Sequence, residues 1–139
     1  MANEIHSVGR LLLLAAREFS AQVCQKLREN AHPDLKSGHA LLVANWELSG
    51  TRISTLAERA EITKQAMGVL VHEMEALGYL TRATDPLDAR AILAIPTAKG
   101  RQLLADVGVL MAQIEAENVE KIGREALEQL QTTLQKMLE

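Results

Sequence analysis

Thr63, Lys64, Gln65, Gly68, Val69 and His72 recur at intervals that place them on one face of a helix, and their side chains suit the reading of a nucleic-acid duplex. Lys64 can reach a phosphate or a guanine edge, Gln65 can pair bidentately with adenine, and Val69 or the Thr63 methyl can meet a thymine methyl. Gly68 lets another backbone come close. Met67, Leu70, Val71, Met74 and Leu77 occupy the other side of the same helix and are expected to pack inward. Arg82 and Arg90 add two cations further along. A polar helix face is most often simply a solvated one, so the setting of these residues has to decide.

That setting runs from Thr51 to Gly100. A short strand is followed by a helix holding Leu56, Ala57 and Ala60, whose small residues let a second helix cross closely. Glu61 and Ile62 make the turn, and Thr63 offers its hydroxyl to the free amides at the start of the next helix. Ile62 is placed to pack on Met67 as a hydrophobic staple. Gly78 ends that helix. Tyr79 to Thr84 and Arg90 to Ile95 have strand composition, with Asp85, Pro86, Leu87 and Asp88 as the tip between them. This order is that of a winged helix-turn-helix, which presents one helix to the major groove and a hairpin beside it. Asp88 and Arg90 could equally serve as a local ion pair that pins the hairpin.

The flanks are helical. Ile5, Val8, Leu12, Ala15, Phe19, Val23 and Leu27 recur at helical spacing as far as Ala31, and Leu11, Leu13 and Leu14 add apolar surface on other faces, as burial by a partner subunit requires. Pro33 and Asp34 break the chain, and Ser37 is placed to cap a helix running to about Leu48. Beyond the wing, Thr97 caps a helix with Leu103, Val107, Leu110, Met111 and Ile114 on one side. Gly123 marks a joint, and Leu127, Leu130, Leu134, Met137 and Leu138 form a narrow seam. The fold class is therefore mostly α with a small β wing: a winged helix-turn-helix domain flanked by N- and C-terminal dimerisation helices. The expected division is 1–36 for the first dimerisation helix, 37–100 for the DNA-binding domain and 101–139 for the C-terminal helices.

Bulk properties set limits. A chain of 139 residues with 47% hydrophobic content is the size of one domain with extensions, and with only Phe19, Trp46 and Tyr79 as aromatics its core must be aliphatic. The apolar run Leu11 to Ala16 falls far short of the roughly 18 residues of a membrane span, and Glu4 does not suit a secretory signal. One cysteine forms no internal disulfide, so the chain reads as cytoplasmic, without a membrane partner. The net charge of −3 is uneven: Thr51 to Arg101 carries +1 and Gln102 to Glu139 carries −4. Phosphate neutralisation supplies most nonspecific affinity, so DNA binding per subunit should be modest.

The stretch LAERAEITKQAMGVLVHEMEALGYL, the wing DPLDAR and the closing PTAKG resemble the MarR (multiple-antibiotic-resistance-repressor) family of winged-helix regulators, and the flanking helices resemble that family's dimerisation region. The resemblance implies a homodimer on a pseudo-palindromic operator in double-stranded DNA, usually a repressor, released by a small molecule or by oxidation. Family members often carry arginine where this chain has Val69, and at the wing tip where it has Leu87 or Ala89. The resemblance also implies a ligand pocket between the dimerisation helices and the reading head, which here points to Arg17, Phe19, Val23, His39, Leu42, Trp46 and Met111. Trp46, His39 and Arg17 would suit a small aromatic or phenolic acid. The same residues serve equally as core.

Other chemistries have little support. Cys24 could be a redox sensor, as in some relatives, but Lys26 and Arg28 are only sequence neighbours of it, and such a cysteine is more often a small buried hydrophobe. Cys24, His32 and His39 would converge only by tertiary folding, and His6 and His72 stand alone; no metal-ligand spacing occurs, so neither metal nor cofactor is expected. No phosphate loop, nucleophile elbow or acidic pair marks an enzyme. The alternative to a DNA-binding repressor is a winged-helix module that binds proteins, suggested by the nearly neutral reading head.

Overall fold

The computed structural model describes residues 7–139, so the expected helix start at Ile5, and Glu4 and His6, lie outside the described residues. Six helices and a three-stranded sheet follow in the order α1 (Val8–Glu29), α2 (His39–Val43), β1 (Thr51–Arg52), α3 (Ile53–Ala60), α4 (Lys64–Ala76), β2 (Leu80–Asp85), β3 (Asp88–Pro96), α5 (Ala98–Ile122) and α6 (Arg124–Leu138). The chain divides into two compact units between Val107 and Gly108.

In the first unit, local signals start and stop the helices. Ser7 accepts the Arg10 amide to cap α1, and Thr63 accepts the Ala66 amide at 3.0 Å to cap α4. A cap of this kind contributes about 1 kcal/mol. Between α3 and α4, Glu61 takes a left-handed conformation with φ of 55°, which costs a non-glycine residue about 1 kcal/mol but reverses the chain within one residue. Gly78, at φ 86°, follows α4 and releases the chain into β2.

The second helix differs from expectation. It spans only five residues, and Gly38 rather than Ser37 precedes it without a side-chain cap. The Asn45 and Trp46 amides turn back to Leu42 and Val43, and the Trp46 indole donates to the Ala94 carbonyl at 2.9 Å. Tying Trp46 to the sheet ends the helix early.

The sheet has the order β1-β3-β2 and is antiparallel throughout. Thr81 pairs with Ile95 and Thr84 with Ile92, and an irregularity between Thr84 and Asp85 bends the hairpin near its tip. Leu42, Leu56, Met67, Val71, Met74 and Leu80 are buried to 1% exposure or less. Each such side chain contributes roughly 1.5–3 kcal/mol, enough to hold α3 and α4 on the sheet against the entropy of their ordering.

Glycine is obligatory at one position. A Cβ on Gly100 would overlap the Tyr79 carbonyl oxygen and stand 2.9 Å from the Trp46 ring. Around it the junction of α4 and β2 is clamped: Thr97 Oγ1 donates to the Gly78 carbonyl and accepts the Gly100 amide, while Lys99 Nζ donates to the Leu77 carbonyl and lies 4.3 Å over the Tyr79 ring.

In the second unit, Leu110 and Ile114 are buried, whereas Val109, Met111 and Ile122 are exposed. Gly123, at φ 88°, joins α5 to α6, and no residue of α6 is buried.

Candidate nucleic-acid interface

The helix face singled out from the sequence is open. Thr63, Lys64, Gln65, Val69 and His72 are exposed and Gly68 is half-exposed, while Met67, Val71 and Met74 turn inward. Leu70 and Leu77 are half-buried rather than buried, because they lie at the margin of the packed face. Among the described residues neither Lys64 nor Gln65 has a hydrogen-bond or ion-pair partner, so both are available at the N-terminal end of α4. A Cβ on Gly68 would meet nothing within 4 Å, so no packing within the chain requires glycine there.

The expected cations differ in their freedom. Arg82 stands near the start of β2 and reaches back to α4, donating to Glu75 at 3.2 and 3.3 Å, with His72 Nδ1 3.5 Å away. Two of the expected contact residues are thus linked to each other, and Glu75 offsets much of the arginine charge. Arg90 is 94% exposed, and its guanidinium is 3.4 Å from Asp88. An exposed pair of that length holds an arginine only weakly. The same Asp88 also accepts the Arg90 amide, so the pinning of the hairpin and the availability of Arg90 coexist.

A second carboxylate decides the shape of the tip. Asp85 is buried, accepting the Leu87 amide at 2.9 Å and the Arg52 Nε at 2.6 Å. The amide bond, followed by the Arg52 guanidinium, holds the Asp85 carboxyl below the usual carboxylate range. Arg52 had no sequence signal for this role, since its partner lies far along the chain and only the sheet joins β1 to the hairpin.

Two buried histidines attach the segment after α1 to the reading head. His39 Nδ1 accepts the Lys36 amide at 3.0 Å, which leaves the ring proton on Nε2, 2.7 Å from Glu73 on α4. His32 bridges Tyr79, at 2.7 Å, and Asp106, at 2.7 Å. Burial, then the carboxylates of Asp34 and Asp106, push the Tyr79 phenol up; the His32 hydrogen bond, then that of Gln102, holds the Asp106 carboxyl down. Both histidines are structural ties, each reached across a long stretch of sequence.

The seven residues expected around a ligand differ in burial and in what their polar atoms bind. His39, Leu42 and Trp46 are buried, and the polar atoms of His39 and Trp46 are spent on Lys36, Glu73 and Ala94. Val23 is half-buried, Phe19 is 40% exposed, and Met111 belongs to the second unit. Of the seven, only Arg17 lines the open groove of about 670 Å³ that runs along α1, where Ser20, Ala21, Cys24, Gln25, Arg28, Glu29 and Ser37 join it. Arg17, Cys24 and Arg28 share one stripe of the helix because their spacings are near whole numbers of turns. Cys24 is buried at the base of that stripe. Among the described residues no three metal-ligating side chains converge.

Comparison with known proteins agrees with this geometry. Residues 47–91 match the model of the MarR family. A search of curated protein sequences gave no match. The fold is similar to that of apo MarR from E. coli, at 17% identity and TM-score 0.77 over 96% of this chain and 98% of that one. It is also similar to CouR from Rhodococcus jostii RHA1 bound to p-coumaroyl-CoA, at 22% identity and TM-score 0.74 over 95% and 92%. A third likeness is to the S. aureus MepR–DNA complex, at 20% identity and TM-score 0.73 over 95% and 96%. Residues 47–91, which hold the helix-turn-helix and most of the wing, are thus similar to the MarR family, and the chain as a whole has the fold of the MarR-family structures it resembles.

Proposed function

We propose that the protein is a homodimeric transcriptional regulator that binds a pseudo-palindromic site in double-stranded DNA and represses transcription there. One observation carries this reading: Lys64 and Gln65 stand exposed and unpartnered on a capped helix beside a hairpin whose Arg90 is 94% exposed. MepR, similar in fold, is found in a complex with DNA. In this reading α1 (with residues to 36) and the helices of 101–139 associate two copies, and 37–100 reads DNA. Thr63, Lys64, Gln65, Gly68, Val69 and His72 face the major groove, with Arg82 and Arg90 toward phosphates. Half-sites then lie roughly 34 Å apart, one turn of the duplex. No described helix is long and apolar enough to cross a membrane, and we place the protein in the cytoplasm.

A small molecule relieves repression by binding the groove along α1, which Arg17, Arg28 and Glu29 line together with Ala21 and Cys24, the two arginines against one carboxylate favouring a ligand with an anionic group. The CouR structure bound to p-coumaroyl-CoA supports a ligand-responsive reading. For this chain the groove residues replace Trp46 and His39 as the ligand contacts.

Titration of duplexes from the protein's own upstream region, against random duplex at two salt concentrations, tests the proposal. Lys64 and Arg90 from two subunits neutralise about four phosphates, with Arg82 adding less because Glu75 offsets it, for a salt slope of about −4. Changing Lys64 and Gln65 together to alanine is expected to abolish site preference and weaken specific binding by about a hundredfold. Equal affinity of the wild type for specific and random DNA would instead leave a winged helix that binds proteins.

A further inference from the structure

Arg82 and Arg90 each have a carboxylate beside them, but the two carboxylates are supported differently. Arg82 donates from Nε and Nη2 to the same oxygen of Glu75, at 3.3 and 3.2 Å, and His72 Nδ1 stands 3.5 Å from Nη2. Glu75 and His72 lie three positions apart on α4, so the helix that reads DNA in our proposal supplies both. Among the described residues, Arg82 is the only side chain that pairs with the Glu75 carboxylate. Asp88 differs, because it accepts the Arg90 amide at 3.1 Å as well as the guanidinium at 3.4 Å. Arg90 can therefore swing away and leave Asp88 with a donor. Arg82 cannot leave without stripping Glu75 of its partner.

The Arg82–Glu75 pair is not strong in itself. Its distances exceed the roughly 2.7–2.9 Å of a tight charge-assisted bond, and its side chains are 41% and 37% exposed, where such pairs add little to folding. What decides the matter is the state in which Arg82 has gone to a phosphate. There the Glu75 carboxylate stands unpaired beside the phosphate that took its arginine, and like charges brought together at an interface are costly. The exchange gains one charge-assisted contact and creates one repulsion. In a reading head whose charge balance is only +1, a cation withheld in this way is a large share of what could meet the backbone.

We propose that Glu75 is a positioning residue that holds Arg82 short of the DNA backbone and so sets operator affinity from within the recognition helix, a role that rests on the DNA-reading function given under Proposed function. Lys64 and Arg90 then carry the phosphate contacts of the wild type. Arg82 faces the backbone as a cation in reserve.

The test uses a duplex selected by the wild type from a randomised pool, together with versions of it in which a methylphosphonate replaces one backbone phosphate at a time and removes that one charge. Binding is measured for the full-length wild type, E75Q and the double variant E75Q/R82Q. E75Q should bind the unmodified duplex about tenfold more tightly at about 50 mM salt, and its salt slope should steepen from about −4 to about −5 as one further phosphate per subunit is neutralised. It should also become sensitive to one methylphosphonate in each half-site, losing about fivefold there, where the wild type loses less than about twofold. In E75Q/R82Q that sensitivity should vanish, because the arginine that makes the contact is gone. If E75Q tightens binding but gains no sensitive phosphate, Glu75 acts through its charge alone and does not withhold Arg82. If E75Q binds more weakly, Glu75 presents Arg82 to the duplex, and the proposal is wrong in sign. A wild type that enriches no sequence from the pool would overturn the DNA-reading function itself, and this role with it.

Discussion

In the winged helix Leu56, Met67, Val71 and Met74 are fully covered, whereas Leu13 in α1 and Leu138 in α6 are 61% and 87% exposed, although both sets recur at helical spacing. The difference lies in what one chain can supply. Two helices and a small sheet close a core around α4. Along α1 Val8, Leu11, Leu13 and Leu14 are exposed, and along α6 Leu130 and Met137 are 46% and 55% exposed. Exposed apolar residues on helices otherwise rich in charge suit the self-association proposed above. The winged helix closes its core within one chain, whereas α1 and α6 leave apolar residues exposed, as the proposed association of two copies would use.

The most severe way to break that contrast is to charge the open helices. L13D combined with L130D is expected to weaken self-association by about a hundredfold or more, while the fluorescence of Trp46, buried in the reading head, stays that of the wild type. Light scattering at several concentrations gives the first readout. A dimer of unchanged strength would mean that these leucines are not its interface.

Next in size is G100A. The added methyl meets a carbonyl oxygen and the Trp46 ring with no space on the third side, where Pro96 stands 3.1 Å away. Overpacking against backbone should cost about 3 kcal/mol, read as a lowered urea midpoint with the m-value unchanged. An unaltered midpoint would show that α5 slides freely against Tyr79.

A smaller effect sharpens the comparison within the first unit. The folded carboxyl of Asp106 is held below its unfolded value, so its contribution to stability is complete above the ordinary carboxylate pKa and drains away as pH falls through the depressed one. D106N should therefore differ from the wild type most above about pH 4 and converge with it in stronger acid. Parallel stability curves through that range would exclude the His32 bridge as the cause.

The smallest effect is the most diagnostic for the DNA face. At Gly68 a methyl group meets nothing, so G68A should raise stability by about 0.5–1 kcal/mol through helix propensity alone. The same substitution should lower duplex affinity, because the new methyl faces the partner and not the chain. Stability and affinity rising together would remove Gly68 from the interface.

Much of the fold was legible because its signals are local. Thr63 and Thr97 each accept the amide three residues on, and Gly78 and Gly123 adopt positive φ where a helix ends or joins. The faces of α4 largely follow from helical spacing: Thr63, Lys64, Gln65, Val69 and His72 are exposed and Met67, Val71 and Met74 buried, with Gly68, Leu70 and Leu77 intermediate at the margins. The α2 region was less legible. Ser37 has the composition of a cap, but the helix starts after Gly38, and Trp46 leaves helical geometry for a hydrogen bond to Ala94. The family resemblance pointed to Trp46 and His39 together with Arg17 as ligand contacts, yet the polar atoms of Trp46 and His39 are bonded within the core and of these three only Arg17 lines the groove along α1.

The sequence by itself determined the order of elements, the capped recognition helix with its open polar face, and the surplus of apolar residues on the flanking helices. Each depends on periodicity or on groups a few residues apart, where chain geometry leaves little choice. Tertiary structure alone decided that Asp85 turns inward to Arg52, and that His32 and His39 tie the N-terminal segment to Tyr79 and α4. Those pairings join residues far apart along the chain. A buried charge or imidazole takes whichever partner the packed core brings within reach, and no local pattern records that choice.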